Sequence, residues 1–316
     1  MDVSIQRLNL PESHGQVEMV VAGPLFALVT PFAEADLAVD EAALRASLKL
    51  LLGLGVRDVV SCGTTGEFCS MEESERRRVT EIVAEEIHAR QCNVICHISA
   101  CDTKTCIGLA QHAKRLNCAA VLLLPPYYFH DADPRGVEGF FSCVLSAIDI
   151  PCFLYNFPKH TGNSIAPEVY ARLAAKHANI AGMKDSSGSL ELAKAFAAAA
   201  PALRVFVGND KAASQVYSSG LAGSITGACT GMPEPLLALA QAKDSSAAAE
   251  AQGKIDEWHG LLEDVGGAEI AKVKACFAAR LSHAYPIACR PPIVSLDRDQ
   301  AGQVCAWIRR RGLAPD

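Results

Sequence analysis

A single lysine ends a short apolar segment near the middle of the chain. The segment covers residues 180–185, reads IAGMKD, and is followed by the turn residues SSG. Short apolar runs bounded by turn residues are typical of buried strands, and lysine is rarely buried without a partner. One interpretation is a strand-end lysine whose long stem carries the ammonium to water. The alternative is an amine, Lys184, held in an apolar pocket, where the neutral form is favoured and can attack a carbonyl carbon.

Three further segments carry side chains that suit the second interpretation. Thr64 and Thr65 lie between glycines in the run GTTGE, where free backbone N–H groups could hold a carboxylate. Tyr155 ends another apolar run and could relay protons, and Tyr128 follows two prolines. Each also has an ordinary explanation: a glycine turn, a core tyrosine with a satisfied hydroxyl, or packed loop aromatics. Together they would equip one site to bind an α-keto acid and activate it as an imine.

Apolar runs that resemble strands alternate with helical patterns from residue 25 onward. The predicted strands cover residues 25–29, 56–61, 93–98, 119–124, 152–155, 180–184, 204–207 and 223–226. Eight strand–helix units in about 210 residues predict an α/β fold, a TIM (β/α)8 barrel with a C-terminal helical extension. The rival fold is an open doubly wound sheet, which usually has a glycine-rich turn after its first strand. Here that turn is Thr30-Pro31-Phe32.

Helix-start signals divide the chain further. Asp40 and Asp102 are predicted N-caps, Ser70 and Glu73 a capping box, and Asp133-Pro134 another helix start. We predict an N-terminal extension over 1–22, the barrel over 23–232 and C-terminal helices over 233–316. In a barrel of this kind functional residues lie at the carboxyl ends of the strands, where all the candidate residues fall.

Composition excludes several classes of protein. The net charge is −6 and no basic run is present, so we expect neither nucleic acid nor an anionic membrane as a partner. The first 20 residues are not expected to be a signal peptide, and no apolar stretch reaches the ~18 residues of a membrane span. Thirteen scattered cysteines suit reduced thiols in a cytoplasmic protein. The group around Cys92, Cys96 and His97 lacks a metal-binding spacing, so no metal site is expected there.

The order of five motifs resembles the dihydrodipicolinate synthase/N-acetylneuraminate lyase family of pyruvate-dependent class I aldolases. The motifs are GTTGE, PYY, LYNFP followed by TG, GMKD and GND. The resemblance implies that Lys184 forms the Schiff base, so that no cofactor is needed beyond the covalent imine. It implies that Tyr155, Thr64 and Tyr128 form a proton relay, with Tyr128 reaching a neighbouring subunit in a homotetramer built as a dimer of dimers.

The same resemblance implies the residues that bind the substrate. Thr64 and Thr65 would hold the keto-acid carboxylate, the carbonyl of Ile225 would line the pocket, and Asp210 would contact sugar hydroxyls. His160 stands where synthases of the family have an arginine that grips a second carboxylate, and it lacks that forked geometry. His97 stands where many relatives have glycine. It narrows the pocket if it faces inward, but we favour an outward-facing core histidine.

Hydroxyl groups in the segment after Lys184 favour a polyhydroxylated substrate. Ser186 and Ser187, with Asp210, suit a sugar chain better than a second carboxylate. The sequence therefore predicts reversible cleavage of a 2-keto-3-deoxy sugar acid to pyruvate and a small aldehyde. The alternatives are 4-hydroxy-tetrahydrodipicolinate synthase, which condenses pyruvate with aspartate semialdehyde, and a keto-deoxy acid dehydratase. A catalytically silent barrel that binds a keto acid is the alternative from another class.

Overall fold

Eight parallel strands close into a barrel in which each strand pairs with the next and the last pairs with the first. The computed structural model describes Val21, residues 23–281 and residues 284–314. The strands are β1 (Leu25–Ala27), β2 (Asp58–Ser61), β3 (Asn93–His97), β4 (Ala120–Leu123), β5 (Cys152–Asn156), β6 (Ile180–Asp185), β7 (Arg204–Val207) and β8 (Gly223–Thr226). The predicted TIM barrel is confirmed. The predicted extension over 1–22 and the signal-peptide question lie almost wholly outside the described residues.

Helices follow the strands around the outside of the barrel and continue beyond it. They are α1 (Glu41–Gly53), α2 (Glu73–His88), α3 (Thr103–Arg115), α4 (Pro134–Ser146), α5 (Pro158–Thr161), α6 (Pro167–Lys176), α7 (Leu190–Ala199), α8 (Ala213–Ser218), α9 (Pro233–Ala240), α10 (Ser245–Val265), α11 (Glu269–Leu281) and α12 (Arg298–Arg310). Within the described part of the chain, no helix combines the length and apolar character needed to cross a membrane. The division of domains at residue 232 stays a prediction.

The predicted caps are confirmed at three helices and wrong at one. The side chains of Asp40, Asp102 and Asp133 each accept a backbone N–H in the first turn of their helix. The capping box at Ser70 and Glu73 does not form. Helix α2 is instead capped at Glu72, whose N–H donates to Glu75 Oε2 at 2.9 Å. Ser70 belongs to a preceding 3-10 turn, Phe68–Ser70, which holds it away from the helix start.

Helix α11 joins the C-terminal helices to the barrel. Nearly all of its residues are buried, including the charged Lys272, Lys274 and Arg280. Lys274 forms an ion pair with Glu67, which follows β2, and both side chains are completely buried. The C-terminal extension is therefore packed directly against the loop that contains Thr64 and Thr65.

Candidate active site

Lys184 and Tyr155 lie side by side on adjacent strands. The register of β5 and β6 places the two residues opposite one another. Lys184 is 6% exposed, and its Nζ lies 4.2 Å from the centroid of the Tyr155 ring. The interpretation in which Lys184 is an exposed strand-end lysine is therefore wrong. The amine is held at the carboxyl end of the barrel, where TIM-barrel sites form.

Glycine 182 makes this register possible. A Cβ at Gly182 would overlap the backbone oxygen of Arg204 and lie 2.9 Å from Phe153 Cε1. The pairing of β5 with β6 shifts between Cys152 and Phe153, two residues before Tyr155. Without a side chain at residue 182, β6 can sit closely between β5 and β7. The glycine of the GMKD motif therefore sets the position of the lysine that follows it.

The loop after β2 holds the two threonines close to β8. Gly66 N–H donates to Gly63 O, and Glu67 N–H donates to Thr64 O, both at 3.0 Å. Thr65 is buried and its hydroxyl packs against Gly227, where any Cβ would collide with it. Thr64 is half-buried. The turn thus presents two hydroxyl residues at the rim that also carries Lys184.

Glu67 holds this turn in place through its backbone conformation and its side-chain contacts. Its backbone is left-handed, with φ of 58°. Its Oε1 pairs with Lys274, and its Oε2 accepts the N–H of Arg290 at 2.9 Å. Lys274 Nζ also donates to Ala288 O at 2.7 Å. Removing one partner of a buried ion pair leaves an uncompensated buried charge. The turn is therefore held in place by residues far along the chain.

A row of rings runs across the carboxyl end of the barrel. The row consists of His160, Phe157, Tyr155, His97 and Phe68, with successive centroids 4.3, 5.7, 6.1 and 4.4 Å apart. Phe157 and Phe68 did not figure among the predicted site residues. Their positions follow two strand ends, which is the signal that could have found them.

His97 faces the barrel interior, so the expected outward orientation is wrong. Cys96 contacts Thr80 of α2, and side chains alternate along a strand, which turns His97 inward beside Tyr155. Its Nε2 lies 3.0 Å from Ser99 Oγ, while Nδ1 has no hydrogen-bond partner among the described residues. Burial, followed by the charges of Arg76 and Lys184, holds the pKa of His97 well below its usual value. A neutral imidazole therefore narrows the pocket.

Ser186 follows β6, and Ile225 lies within β8. A Cβ at Gly208 would collide with Ser186 Oγ and lie 3.5 Å from Lys184 Cε, which puts the serine hydroxyl near the lysine stem. Ile225 is buried in β8 and pairs with Leu25 of β1.

Asp185 orders the loop beyond Lys184. It accepts hydrogen bonds from Asn156 Nδ2 and from Ser187 Oγ, both at 2.7 Å. Burial raises the pKa of the Asp185 carboxyl. The hydroxyl of Ser187, one of the groups expected to suit a sugar chain, is thus already engaged with this carboxylate.

The remaining predicted residues are Asp210, His160 and Tyr128. Asp210 is buried, and its Oδ2 accepts from Thr226 Oγ1 and, at 3.4 Å, from Cys229 N. His160 is exposed at the barrel mouth, and partial burial and Lys159 lower its pKa. Tyr128 is 77% exposed and packs edge-on against Phe129, which is 72% exposed.

Comparisons with known proteins agree with this architecture. The model of the dihydrodipicolinate synthetase family matches residues 21–310. A 4-hydroxy-tetrahydrodipicolinate synthase from Geotalea uraniireducens is 34% identical over 295 residues, covering 92% of this chain and 99% of its own. KD(P)GA from T. tenax superposes with a TM-score of 0.79 at 25% sequence identity. The match covers 91% of this chain and 98% of the T. tenax chain. The E. coli K12 prophage protein YagE, solved in complex with pyruvate, superposes with a TM-score of 0.82 at 22% sequence identity. The match covers 93% of this chain and 100% of the YagE chain.

Proposed function

The chain belongs to the dihydrodipicolinate synthetase family of class I lyases and aldolases, and from this premise we propose that it cleaves a 2-keto-3-deoxy sugar acid reversibly to pyruvate and an aldehyde. The observation that carries the proposal is the burial of the Lys184 amine over the Tyr155 ring. The hydroxyl-bearing turn at Thr64 and Thr65 supports it, because it offers a carboxylate-binding group at the same rim.

In the proposed reaction the neutral amine of Lys184 attacks the keto carbon, and loss of water leaves a protonated imine. Tyr155, with Thr64 and Tyr128, moves the protons that these steps require. Removal of the C4 hydroxyl proton breaks the C3–C4 bond and releases the aldehyde, while the electron pair enters the imine to form an enamine. Protonation at C3 and hydrolysis then release pyruvate and restore the amine. The imine is the electron sink, so these steps need no metal or organic cofactor.

The substrate preference rests on the residues around the lysine. His160 cannot form the planar two-pronged contact that an arginine makes with a carboxylate. Ser186 offers a hydroxyl beside the Lys184 stem, which suits a hydroxylated chain. The second candidate is 4-hydroxy-tetrahydrodipicolinate synthase, favoured by the name of the 34% identical relative. A keto-deoxy acid dehydratase shares the imine chemistry, and a silent keto-acid-binding barrel would bind without turnover.

Assembly and location belong to the same proposal. The exposed pair Tyr128 and Phe129 suits an interface between copies of the chain, as a dimer of dimers would need. Thirteen free cysteines suit the cytoplasm, where thiols stay reduced.

A pyruvate-release assay over a panel of keto-deoxy acids, run beside condensation of pyruvate with aspartate semialdehyde, tests the proposed reaction. We expect the best aldolase kcat/KM to exceed the synthase value, and His160→Arg to move the ratio toward the synthase. A wild-type synthase efficiency equal to the best aldolase efficiency would reverse the ranking.

Borohydride trapping tests the imine itself. Pyruvate with borohydride should add a reduced adduct to the peptide containing Lys184 and abolish activity. An unmodified Lys184 under conditions where pyruvate binds would remove the mechanism.

A further inference from the structure

Three side chains of metal-binding type meet beside the loops that follow β7 and β8. They are Asp210 after β7, Cys229 after β8 and His259 of α10, and their ligand atoms all lie within 4.8 Å of one another. Over residues 21, 23–281 and 284–314, no other group of three such side chains is as close. The cysteines between residues 92 and 106, which invited a metal interpretation, do not gather in this way.

Two buried polar atoms in this cluster have no hydrogen-bond partner among the described residues. The Asp210 side chain is 2% exposed, and its Oδ1 accepts no hydrogen bond from the described residues. The His259 side chain is 13% exposed and its Nε2 also has no hydrogen bond, since it lies 3.8 Å from Asp210 Oδ2, an ion-pair distance that is too long for a hydrogen bond. Leaving a buried carboxylate oxygen and an imidazole nitrogen unsatisfied is costly. A cation between them would satisfy both atoms.

The surrounding contacts hold the three residues in place. Thr226 Oγ1 and Cys229 N both donate to Asp210 Oδ2, which leaves Oδ1 as the free acceptor. Trp258 Nε1 donates to Ala228 O at 2.9 Å, so the residues before His259 and before Cys229 are joined directly. Such fixed backbone positions reduce the ordering that metal binding would require.

We propose that Asp210, Cys229 and His259 bind a divalent transition metal of the zinc type. Thiolate, imidazole and carboxylate are the ligands that Zn²⁺ takes. On binding, Cys229 releases its thiol proton to solvent and His259 coordinates as neutral imidazole through Nε2. The site joins α10 to the segments that follow β7 and β8. Asp210 then serves the metal rather than a substrate hydroxyl.

Glu269 is the candidate for a fourth ligand. Its Oε1 would lie 3.4 Å from a Cβ at Gly227, two residues before Cys229. A carboxylate in the fourth position would close the coordination sphere, as structural zinc sites require.

The test is a titration of the full-length, metal-free protein with Co²⁺ followed by absorption spectroscopy. We expect one equivalent to bind with visible tetrahedral bands and a thiolate charge-transfer band, and Zn²⁺ to displace it. Cys229→Ser should abolish the charge-transfer band, and His259→Gln should weaken binding at least tenfold. Cys305→Ser, at a half-buried cysteine of α12, is the matched control and should bind like the wild type. Zn²⁺ should raise the melting temperature of wild type and control only.

Two results would overturn the proposal: a wild type that gives no cobalt spectrum, or binding that persists unchanged in both ligand variants. Circular dichroism confirms that each variant is folded. X-ray absorption of the zinc-loaded wild type decides the matter even if Cys229→Ser fails to fold, because one sulfur ligand is required. Failure of the metal site leaves the borohydride experiment on Lys184 unaffected.

Discussion

Two buried lysines each lie over an aromatic ring, yet their surroundings differ. Lys184 Nζ lies 4.2 Å from the Tyr155 ring centroid, and Lys274 Nζ lies 4.4 Å from that of Phe32. Lys274 also pairs with Glu67 and donates to Ala288 O. Among the described residues, no ion pair or hydrogen bond involves Lys184 Nζ, which lies over the Tyr155 ring.

This difference distinguishes a lysine that is buried to stabilise the fold from a lysine that is buried to react. A buried cation is tolerated when a carboxylate and a hydrogen bond accompany it, and such a group is held as a charge. A buried amine that lies over a ring without an ion pair keeps its lone pair available once it is neutral. The same substitution at the two positions should therefore have opposite consequences for activity and stability.

The largest expected effect is on turnover. Lys184→Met should lower kcat on the order of 10⁵-fold, because the covalent route disappears. The free energy of unfolding, measured in urea, should stay within about 1 kcal/mol of wild type or rise, since an apolar stem replaces an unpaired buried amine. Lys184→Ala should show the same loss of turnover. Retention of a tenth of the wild-type rate would show that Lys184 is not the nucleophile.

Lys274→Met should have the converse effect. It leaves Glu67 buried without its cation, and breaking a buried pair costs about 3–5 kcal/mol. Urea unfolding measures the loss. The double variant Glu67→Gln, Lys274→Met is the matched control, because it removes both charges and should recover part of the stability. If the single variant loses less than about 1 kcal/mol, the ion pair does not hold the turn as described.

Much of this contrast lies beyond what the sequence could predict. The eight strands and Lys184 follow from local apolar runs and their ends, because strand patterns are local. The partner of Glu67 lies on α11, and no local pattern pairs two elements so far apart in the chain. The sequence predicts the wrong face for His97, because a shift of one residue reverses every side chain of a strand. The unsatisfied atoms of Asp210 and His259 become visible only once α10 is assembled against the segments that follow β7 and β8.

The two lysine sites also differ in whether a single chain supplies all of their residues. The Lys274 pair is satisfied by its own chain, whereas the Lys184 site is proposed to borrow Tyr128 from a neighbour. Inactive Tyr128→Phe and inactive Lys184→Ala subunits, dissociated and reassembled together, should partly regain activity, because some hybrid sites receive both intact residues. Tyr127→Phe mixed with Lys184→Ala is the control for loop packing. Without any recovery, once native mass spectrometry confirms hybrids, Tyr128 acts within its own chain.

The smallest expected effect is a pH dependence that originates at His97, next to Lys184. The folded pKa of His97 lies well below the usual 6.5, because of burial and the charges of Arg76 and Lys184. As the pH falls below 6.5, the unfolded chain binds a proton that the folded chain does not, so stability is lost. The loss continues down to the folded pKa, with a slope of at most about 1.4 kcal/mol per pH unit for one proton.

Urea unfolding of wild type and His97→Gln between about pH 5 and pH 8 measures this contribution. Above pH 6.5 the difference in the free energy of unfolding between the two proteins should be constant. Below pH 6.5 the wild type should lose stability more steeply than His97→Gln. The pKa values of His112 and His177 are also lowered, chiefly by burial, and these residues are common to both proteins. Their contribution therefore cancels in the difference. If the free energies of unfolding of the two proteins ran parallel down to about pH 5, His97 would bind its proton equally well in the folded and the unfolded chain. That result would contradict the burial of His97 beside Lys184 as a neutral ring.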